Sequence, residues 1–245
     1  MWCDKMRCEL LKMKKLKYIF FDLDNTLTRS KSPISGEMKE ALGALAGDKE
    51  VIVVSGATTA QILKQVSDEF RGRLWTLAQN GNFALHKDGS DLWANVIEDK
   101  EEVMNHVSQM QSLLDSINED MIQDRGCQIS LSCVGHNADI NVKEKFDSDF
   151  SKRVKMLEKH PFASDKFEVR IGGTTCFDYT IKGLNKGANV ARLVDMQGWN
   201  IEECLYVGDA LVEGGNDETV IGVCKTHQVA NPQETLQLIK NILEG

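Results

Sequence analysis

The stretch that decides the fold is YIFFDLDNTLT, residues 18–28. Its first four residues form an apolar run with the pattern of a short buried strand. Two carboxylates follow directly, Asp22 and Asp24, and then residues that favour a turn. Ligands of open α/β sheets bind outside the carboxyl ends of the strands, so both acids are expected at a functional edge. Because such close like charges repel, a bound cation would stabilise them, and oxygen ligands favour Mg²⁺.

The segments around this stretch alternate between apolar strands and amphipathic helices. Residues 51–54 form a continuous β-branched run that ends at Ser55, and a helix follows it. Farther along, residues 186–196 have helical spacing, and residues 204–207 form another short strand. This alternation is typical of a parallel sheet, and it predicts an α/β core.

The middle of the chain has a different pattern. Hairpin-like regions at residues 83–94 and 167–180 alternate with helical segments at 99–117 and 148–160, which predicts an α+β insert built on an antiparallel sheet. The predicted parts are an N-terminal extension over residues 1–15, a core over residues 16–82 and 184–245, and the insert over residues 83–183.

Composition excludes several classes of function. The 245-residue chain has a formal net charge of -8, which disfavours nucleic acid as a partner. No apolar run approaches the ~20 residues of a membrane helix, so no membrane partner is expected. The seven cysteines are scattered and form no CxxC pair. This pattern favours reduced thiols and a cytoplasmic location over a disulfide framework or a zinc site.

Two later segments carry further candidate residues. Lys186 stands at the start of a predicted helix, whose N-terminus favours anions. The strand at 204–207 ends in Gly208 and Asp209, and the Gly-Gly pair at 214–215 lets the chain fold back and return Asp217 towards it. Taken singly, these residues also fit a surface lysine and an acidic loop, as Ser55 alone fits a helix-capping role.

In this order, the four segments resemble the four motifs of the haloacid dehalogenase (HAD) superfamily of phosphotransferases. The resemblance implies a Rossmann-like parallel-sheet core with an inserted C2-type cap domain. It also implies that Asp22 is the nucleophile, that Asp24 is the general acid/base, and that Ser55 and Lys186 hold the transferred phosphoryl group. The implied Mg²⁺ ligands are Asp22, Asp24, Asp209 and Asp217. The superfamily usually has glycine where this chain has Asn25, a residue type that tolerates a left-handed backbone.

Within the superfamily, the insert is most similar to that of the eukaryotic-type phosphomannomutase family. Arg125 matches a family arginine that binds the distal phosphate, and Asp178 matches a family acid that holds the sugar. The chain departs from the pattern where the family has two arginines and a serine: His136, Lys143 and Cys176 stand there. Lys143 keeps the charge but lacks the bidentate fork of arginine. A half-buried structural role fits His136 equally well.

The sequence leaves three functions open. A Mg²⁺-dependent phosphatase that hydrolyses a phosphorylated sugar or similar small metabolite is favoured, because of Ser55, His136 and Cys176. The alternative is a phosphomannomutase that interconverts hexose 1- and 6-phosphates through the same aspartyl-phosphate intermediate. A catalytically silent protein that binds a phosphometabolite is the third. Family analogy also suggests a homodimer formed through the cap.

Overall fold

The computed structural model describes residues 14–244, which fall into two compact units. The core unit runs to Trp93 and resumes at Lys186, and the inserted unit is Ala94–Asn185. Residues 1–13 of the predicted N-terminal extension lie outside the described residues. No helix among the described residues is long and apolar enough to cross a membrane.

The regular elements alternate along the chain. The strands are β1 (Tyr18–Asp22), β2 (Glu50–Val54), β3 (Trp75–Ala78), β4 (Phe83–Leu85), β5 (Asp91–Ala94), β6 (Ile122–Asp124), β7 (Ile129–Ser132), β8 (Phe167–Gly172), β9 (Cys176–Ile181), β10 (Cys204–Gly208) and β11 (Lys225–Gln228). The α-helices are α1 (Gly36–Asp48), α2 (Thr59–Val66), α3 (Glu101–Gln111), α4 (Ile140–Phe146), α5 (Ser151–Lys159), α6 (Lys186–Met196) and α7 (Pro232–Glu244).

The core unit is built on a seven-stranded sheet in the order β11-β10-β1-β2-β3-β4-β5. The strands from β11 to β3 are parallel, and β4 pairs antiparallel with β3. Apolar clusters cover both faces of the sheet: residues of α1, α2 and α7 join one cluster, and residues of α6 join the other. Because β1 is buried on both faces, every position from Ile19 to Phe21 is apolar. The predicted α/β core is confirmed.

The hairpin at residues 83–94 was predicted in the insert, but its strands β4 and β5 extend the core sheet. Leu77 of β3 pairs with Ala84 of β4, which attaches the hairpin to the parallel strands. Trp93 is buried in a core cluster, and its indole Nε1 donates a hydrogen bond to the Gly81 carbonyl at 2.8 Å. This packing moves the first boundary from 82/83 to between Trp93 and Ala94, and the second falls between Asn185 and Lys186.

The inserted unit is built on a four-stranded antiparallel sheet in the order β6-β7-β9-β8. Side chains on one face pack with residues of α3 into a third apolar cluster. Successive residues of a strand point to opposite faces, so the polar residues between those apolar positions share the other face. That polar face includes Ser130, Ser132, Cys176 and Asp178.

A buried ion pair fixes the turn between β8 and β9. Arg153 of α5 is fully buried, and its Nε donates to Asp147 Oδ2 at 2.8 Å. Its Nη1 donates to the carbonyl oxygens of Gly172 and Gly173 at 2.9 Å and of Cys176 at 3.1 Å. The guanidinium therefore holds the backbone that leads into the polar face of β9.

We predict that Arg153→Met lowers the free energy of unfolding of the protein by ~3–5 kcal/mol. The substitution leaves the Asp147 carboxylate buried without its counter-charge and leaves three carbonyl oxygens without this donor. Urea unfolding followed by circular dichroism measures the change. The matched control is Lys155→Met, at an exposed position of the same helix, which is expected to change stability by less than ~0.5 kcal/mol. Equal effects of the two substitutions would contradict the prediction.

Candidate active site

Three of the predicted site residues leave the core sheet at one edge because the strands are in register. Phe21 of β1 pairs with Val207 of β10, and Asp22 pairs with Val54 of β2. Asp22 therefore ends its strand beside the positions from which Ser55 and Asp209 follow. This is the edge where parallel α/β sheets bind ligands.

A single ammonium group joins two of the acids. Lys186 Nζ donates to Asp22 Oδ1 at 2.6 Å and to Asp217 Oδ1 at 2.7 Å. All three side chains are almost completely inaccessible to solvent. The negative charges favour the protonated amine and hold the pKa of Lys186 above its usual range, although burial opposes them. The lysine therefore keeps its positive charge inside the core unit.

The close approach of α6 to the loop after Asp217 depends on a glycine. A Cβ on Gly187 would lie 1.9 Å from the Thr219 carbonyl oxygen, so a side chain does not fit there. The Gly187 backbone N–H also donates to Thr219 Oγ1 at 3.1 Å. These contacts bring the first residue of α6 next to the carboxylate of Asp217.

Residues 208–217 fold back on themselves as predicted. A Cβ on Gly215 would lie 2.1 Å from the Ala210 carbonyl oxygen, and one on Gly208 would lie 2.4 Å from Asp217 Oδ2. Ala210 N–H donates to Asp217 Oδ2 at 3.4 Å. The loop thus returns Asp217 to the end of β10, close to Asp209.

Tyr206 is a site residue that the sequence analysis missed. Its hydroxyl donates to Asp217 Oδ1 at 2.6 Å from a fully buried position on β10. Burial and the neighbouring carboxylates raise the pKa of Tyr206 well above its usual range, so the phenol remains a donor. A buried tyrosine hydroxyl needs a hydrogen-bond partner, and this requirement was the available signal in an otherwise apolar strand.

The carboxylates of the site are short of positive charge. Burial raises the pKa of Asp22 well above its usual range, because the opposing charge of Lys186 is offset by the acids around it. Burial and then the charge of Asp217 raise the pKa of Asp209 to about 6. Each shift reports that the ionised form lacks stabilisation. A further cation would supply it.

The donor set fits a hard divalent cation. One carboxylate oxygen from each of Asp22, Asp209 and Asp217 lies within 4.8 Å of the other two, and among residues 14–244 only Lys186 offsets their charge directly. The amide Oδ1 of Asn216, beside Asp217 in the chain, is buried with no hydrogen-bond partner in the described part of the chain, and it is another hard oxygen. Oxygen-only donors with a residual negative charge are suited to Mg²⁺.

The other core candidates have different surroundings. Asp24, predicted as a metal ligand as well as an acid/base, is outside this cluster of three acids, and its Oδ1 accepts a hydrogen bond from the Lys31 backbone N–H at 2.7 Å. Ser55 is buried, and its Oγ accepts from the Ala57 N–H at 3.1 Å, which leaves the hydroxyl hydrogen to donate. Asn25 has φ 62°, the left-handed conformation that its residue type allows.

The candidates in the inserted unit divide into two groups. Asp178 lies on the polar face, where its Oδ1 accepts from Ser130 Oγ at 2.6 Å. Arg125 donates from Nε at 3.3 Å and from Nη2 at 2.9 Å to Gln123 Oε1, and Gln123 also belongs to that face. Cys176 lies two residues before Asp178 on the same strand. These three predicted residues therefore share one surface.

Lys143 and His136 are placed differently. Lys143 is buried, and its ammonium donates to the backbone carbonyl of His136 at 2.6 Å. The His136 ring, also buried, donates from Nε2 to the Ser130 carbonyl at 3.2 Å. Both side chains therefore bind backbone oxygens, as structural residues commonly do.

The fold and this acidic edge together define a class of protein. Solved structures with the same fold include the IMP-nucleotidase of Plasmodium falciparum, with a TM-score of 0.63 at 16% identity over 96% of this chain and 71% of that one. A haloacid dehalogenase-like hydrolase from Bacteroides thetaiotaomicron gives a TM-score of 0.60 at 16% identity over 93% and 99% of the two chains. The chain therefore has the fold of HAD-type proteins.

The family is narrower than this class. A model of the eukaryotic phosphomannomutase family matches residues 38–245, and the chain belongs to that family. Similar curated proteins include phosphomannomutase 2 of Dictyostelium discoideum, 26% identical over 90% of this chain and 94% of its own length. The phosphomannomutase of Triticum aestivum is 27% identical over 91% and 93%, and that of Saccharomyces cerevisiae is 25% identical over 94% and 96%.

We predict that Asp209→Asn weakens Mg²⁺ binding at least ~10-fold, because it removes one of three clustered charges while the amide keeps a similar shape. Isothermal titration of the metal-free protein with MgCl₂ measures the affinity without any substrate. The matched control is Glu213→Gln, an exposed acid of the same loop, which should bind Mg²⁺ like the unchanged protein. Equal losses for the two variants would mean that the loop attracts cations only through its overall charge.

Proposed function

We propose that the protein is a sugar-phosphate mutase of the phosphomannomutase type, which transfers a phosphoryl group between positions of a hexose phosphate. The sequence analysis favoured hydrolysis, but membership of the family and relatives named phosphomannomutase favour the alternative. The observation that carries the chemistry is the buried lysine that bridges Asp22 and Asp217 at the carboxyl end of β1. The proposed substrate is a small phosphorylated sugar.

The proposed reaction has two steps at Asp22. Its carboxylate oxygen attacks phosphorus, the bond to the sugar oxygen breaks, and Asp24 gives its proton to the leaving oxygen. The hydroxyl of the acceptor sugar then loses its proton to Asp24 and attacks the aspartyl phosphate, which frees the Asp22 carboxylate. Lys186 holds Asp22 in position and offsets negative charge, while the Ser55 hydroxyl is placed to donate to a phosphoryl oxygen.

Mg²⁺ is the proposed cofactor, held by Asp22, Asp209 and Asp217. When bound, it would neutralise negative charge on the transferred phosphoryl group. Asp24, whose carboxylate is engaged by the Lys31 backbone, is assigned the proton-transfer role rather than a place among the clustered ligands. The contacts of Asp22 and Asp24 therefore distinguish their proposed roles: Asp22 belongs to the acidic cluster, and Asp24 lies outside it.

Recognition of the sugar is assigned to the polar face of the inserted unit. Asp178 offers a carboxylate oxygen for sugar hydroxyls, and Arg125 offers a guanidinium oriented by Gln123. Cys176 lies on the same face. A homodimer through this unit and a cytoplasmic location stay predictions.

A phosphatase is the second candidate, favoured by the surroundings of Lys143. Its ammonium is buried against the backbone carbonyl of His136. The two positions where the family has arginines are a lysine and a histidine here, so neither provides a guanidinium fork. A weaker hold on a second phosphate would let a sugar leave before it could return to the aspartyl phosphate, and water would then complete the reaction. A silent binding protein is disfavoured because the reacting acid and its lysine are intact.

The two activities separate in one assay. We predict that the enzyme, given mannose 1-phosphate, Mg²⁺ and a trace of hexose bisphosphate, forms mannose 6-phosphate faster than free phosphate. Chromatography of the sugar phosphates and colorimetric phosphate measurement follow both products. Free phosphate as the main product would instead establish the phosphatase.

The same assay tests the nucleophile. We predict that Asp22→Asn lowers the rate of either reaction at least ~1,000-fold, because the amide cannot form the aspartyl phosphate. The matched control is Asp48→Asn at the exposed end of α1, which should leave the rate unchanged. An unaffected rate in the Asp22 variant would remove the proposed chemistry.

A further inference from the structure

One row of side chains crosses the whole inserted sheet on its polar face. The strand register pairs Gln123 of β6 with Ser130 of β7, Ser130 with Asp178 of β9, and Asp178 with Arg170 of β8. Residues that are directly paired across strands have side chains on the same face. Arg170 therefore ends a row whose centre is the predicted sugar-binding acid.

Both ends of this row have a guanidinium group. At the β6 end, Arg125 is hydrogen-bonded to Gln123 Oε1. Arg170 lies at the β8 end. Its backbone is three strand spacings, or roughly 14 Å, from the backbone of Gln123, measured across the strands. A carboxylate and a hydroxyl lie between the two cations, joined by the 2.6 Å hydrogen bond from Ser130 Oγ to Asp178 Oδ1. Such a row suits a ligand with hydroxyl groups and an anionic end.

Arg170 is able to bind an anion because little of its hydrogen-bonding capacity is used. Its side chain is 36% exposed, and its ion-pair partner among the described residues is Glu168, reached by Nε at 3.5 Å. The two terminal nitrogens of the guanidinium have no partner within the described chain, and together they form one edge of the planar fork. Arg153, in contrast, is fully buried and uses its nitrogens on Asp147 and on carbonyl oxygens.

A glycine on the strand of Arg170 makes room for the Asp178 carboxylate. A Cβ on Gly172 would lie 2.2 Å from Asp178 Oδ2, so this carboxylate occupies the position that a side chain would take. The small residue lets Asp178 lie against β8, the strand that presents Arg170 two residues earlier. The acid and the arginine are therefore placed by the same strand pair.

We propose that Arg170 is a specificity-determining residue that binds the anionic group of the substrate farthest from the reacting phosphoryl group. This proposal rests on the proposed function, since it requires a sugar substrate with a second anionic group. Arg170 places a positive charge on the polar face, whereas the Lys143 ammonium is buried against the backbone carbonyl of His136. A planar fork binds phosphate through two parallel charge-assisted hydrogen bonds, which a lysine cannot make.

The test compares two kinds of substrate on the full-length enzyme with Mg²⁺. Arg170→Ala is expected to raise the KM for a hexose bisphosphate ~10- to 100-fold, the range for loss of a charge-assisted bidentate contact. The same variant should keep the kcat and KM for p-nitrophenyl phosphate, which has no second anionic group. Arg170→Lys should recover only part of the loss, because it restores the charge without the fork.

Matched controls separate this role from general surface charge. Lys166→Ala removes an exposed cation just before β8 and should leave both substrates unaffected. Glu168→Gln removes the carboxylate beside Arg170 and should leave the KM for the bisphosphate equal or lower. Equal KM values for Arg170→Ala and Lys166→Ala would overturn the proposal, as would equal losses for the two substrates.

A binding measurement keeps the proposal distinct from the proposed reaction. Isothermal titration of glucose 1,6-bisphosphate into the Asp22→Asn protein needs no turnover, and adding Arg170→Ala should weaken that binding ~10- to 100-fold. If the bisphosphate binds equally with and without Arg170, the assignment of Arg170 is wrong even when mutase activity is present. If binding depends on Arg170 but no isomerisation occurs, the proposed mutase reaction fails and the anion site stands.

Discussion

The core unit depends on one buried ammonium group. Lys186 is enclosed between carboxylates of Asp22 and Asp217 that come from opposite parts of the sequence. Burying an unpaired ion in a protein interior costs several kcal/mol, so each of these charges requires the others. The lysine alone does not neutralise the acidic cluster. The remaining negative charge is unfavourable in a buried site, and it is also what suits the site to a cation.

Backbone geometry makes that interaction possible. Gly187 allows α6 to touch the carbonyl of Thr219, and Gly215 allows the chain after β10 to reverse direction. Neither glycine contributes a functional group. They set the spacing between elements. The hydroxyl of Tyr206 on β10 then holds Asp217 in place through a hydrogen bond. The charged residues have their positions because small residues let the backbone come close.

Much of this arrangement could be predicted from local patterns. The acids of the core edge directly follow short apolar runs, and parallel strands bring such positions together, so Asp22 and Asp209 could be located without coordinates. The left-handed Asn25 and the returning loop after β10 also follow from the preferences of single residues. These features are set by residues that are adjacent in the sequence, so a local pattern is enough to predict them.

Features that depend on tertiary partners were not predicted. The hairpin at residues 83–94 has the same local pattern in either unit, and only its pairing with β3 and the burial of Trp93 assign it to the core. Strand β11 is exposed along its length and has no apolar signal. The roles of Arg153 and Arg170 differ through burial alone, since a sequence shows two arginines and not which one the fold encloses.

The junction between the two units has a consequence for synthesis of the chain. Lys186 is the first residue after the inserted unit, so the ribosome makes Asp22 and all of residues 94–185 before it makes the cation that neutralises the acid. Until then, β1 and β2 can pair, but the end of β1 has an uncompensated charge that resists burial. Burial of the charged end of β1 therefore requires the second crossing into the core, because that crossing brings Lys186 to Asp22.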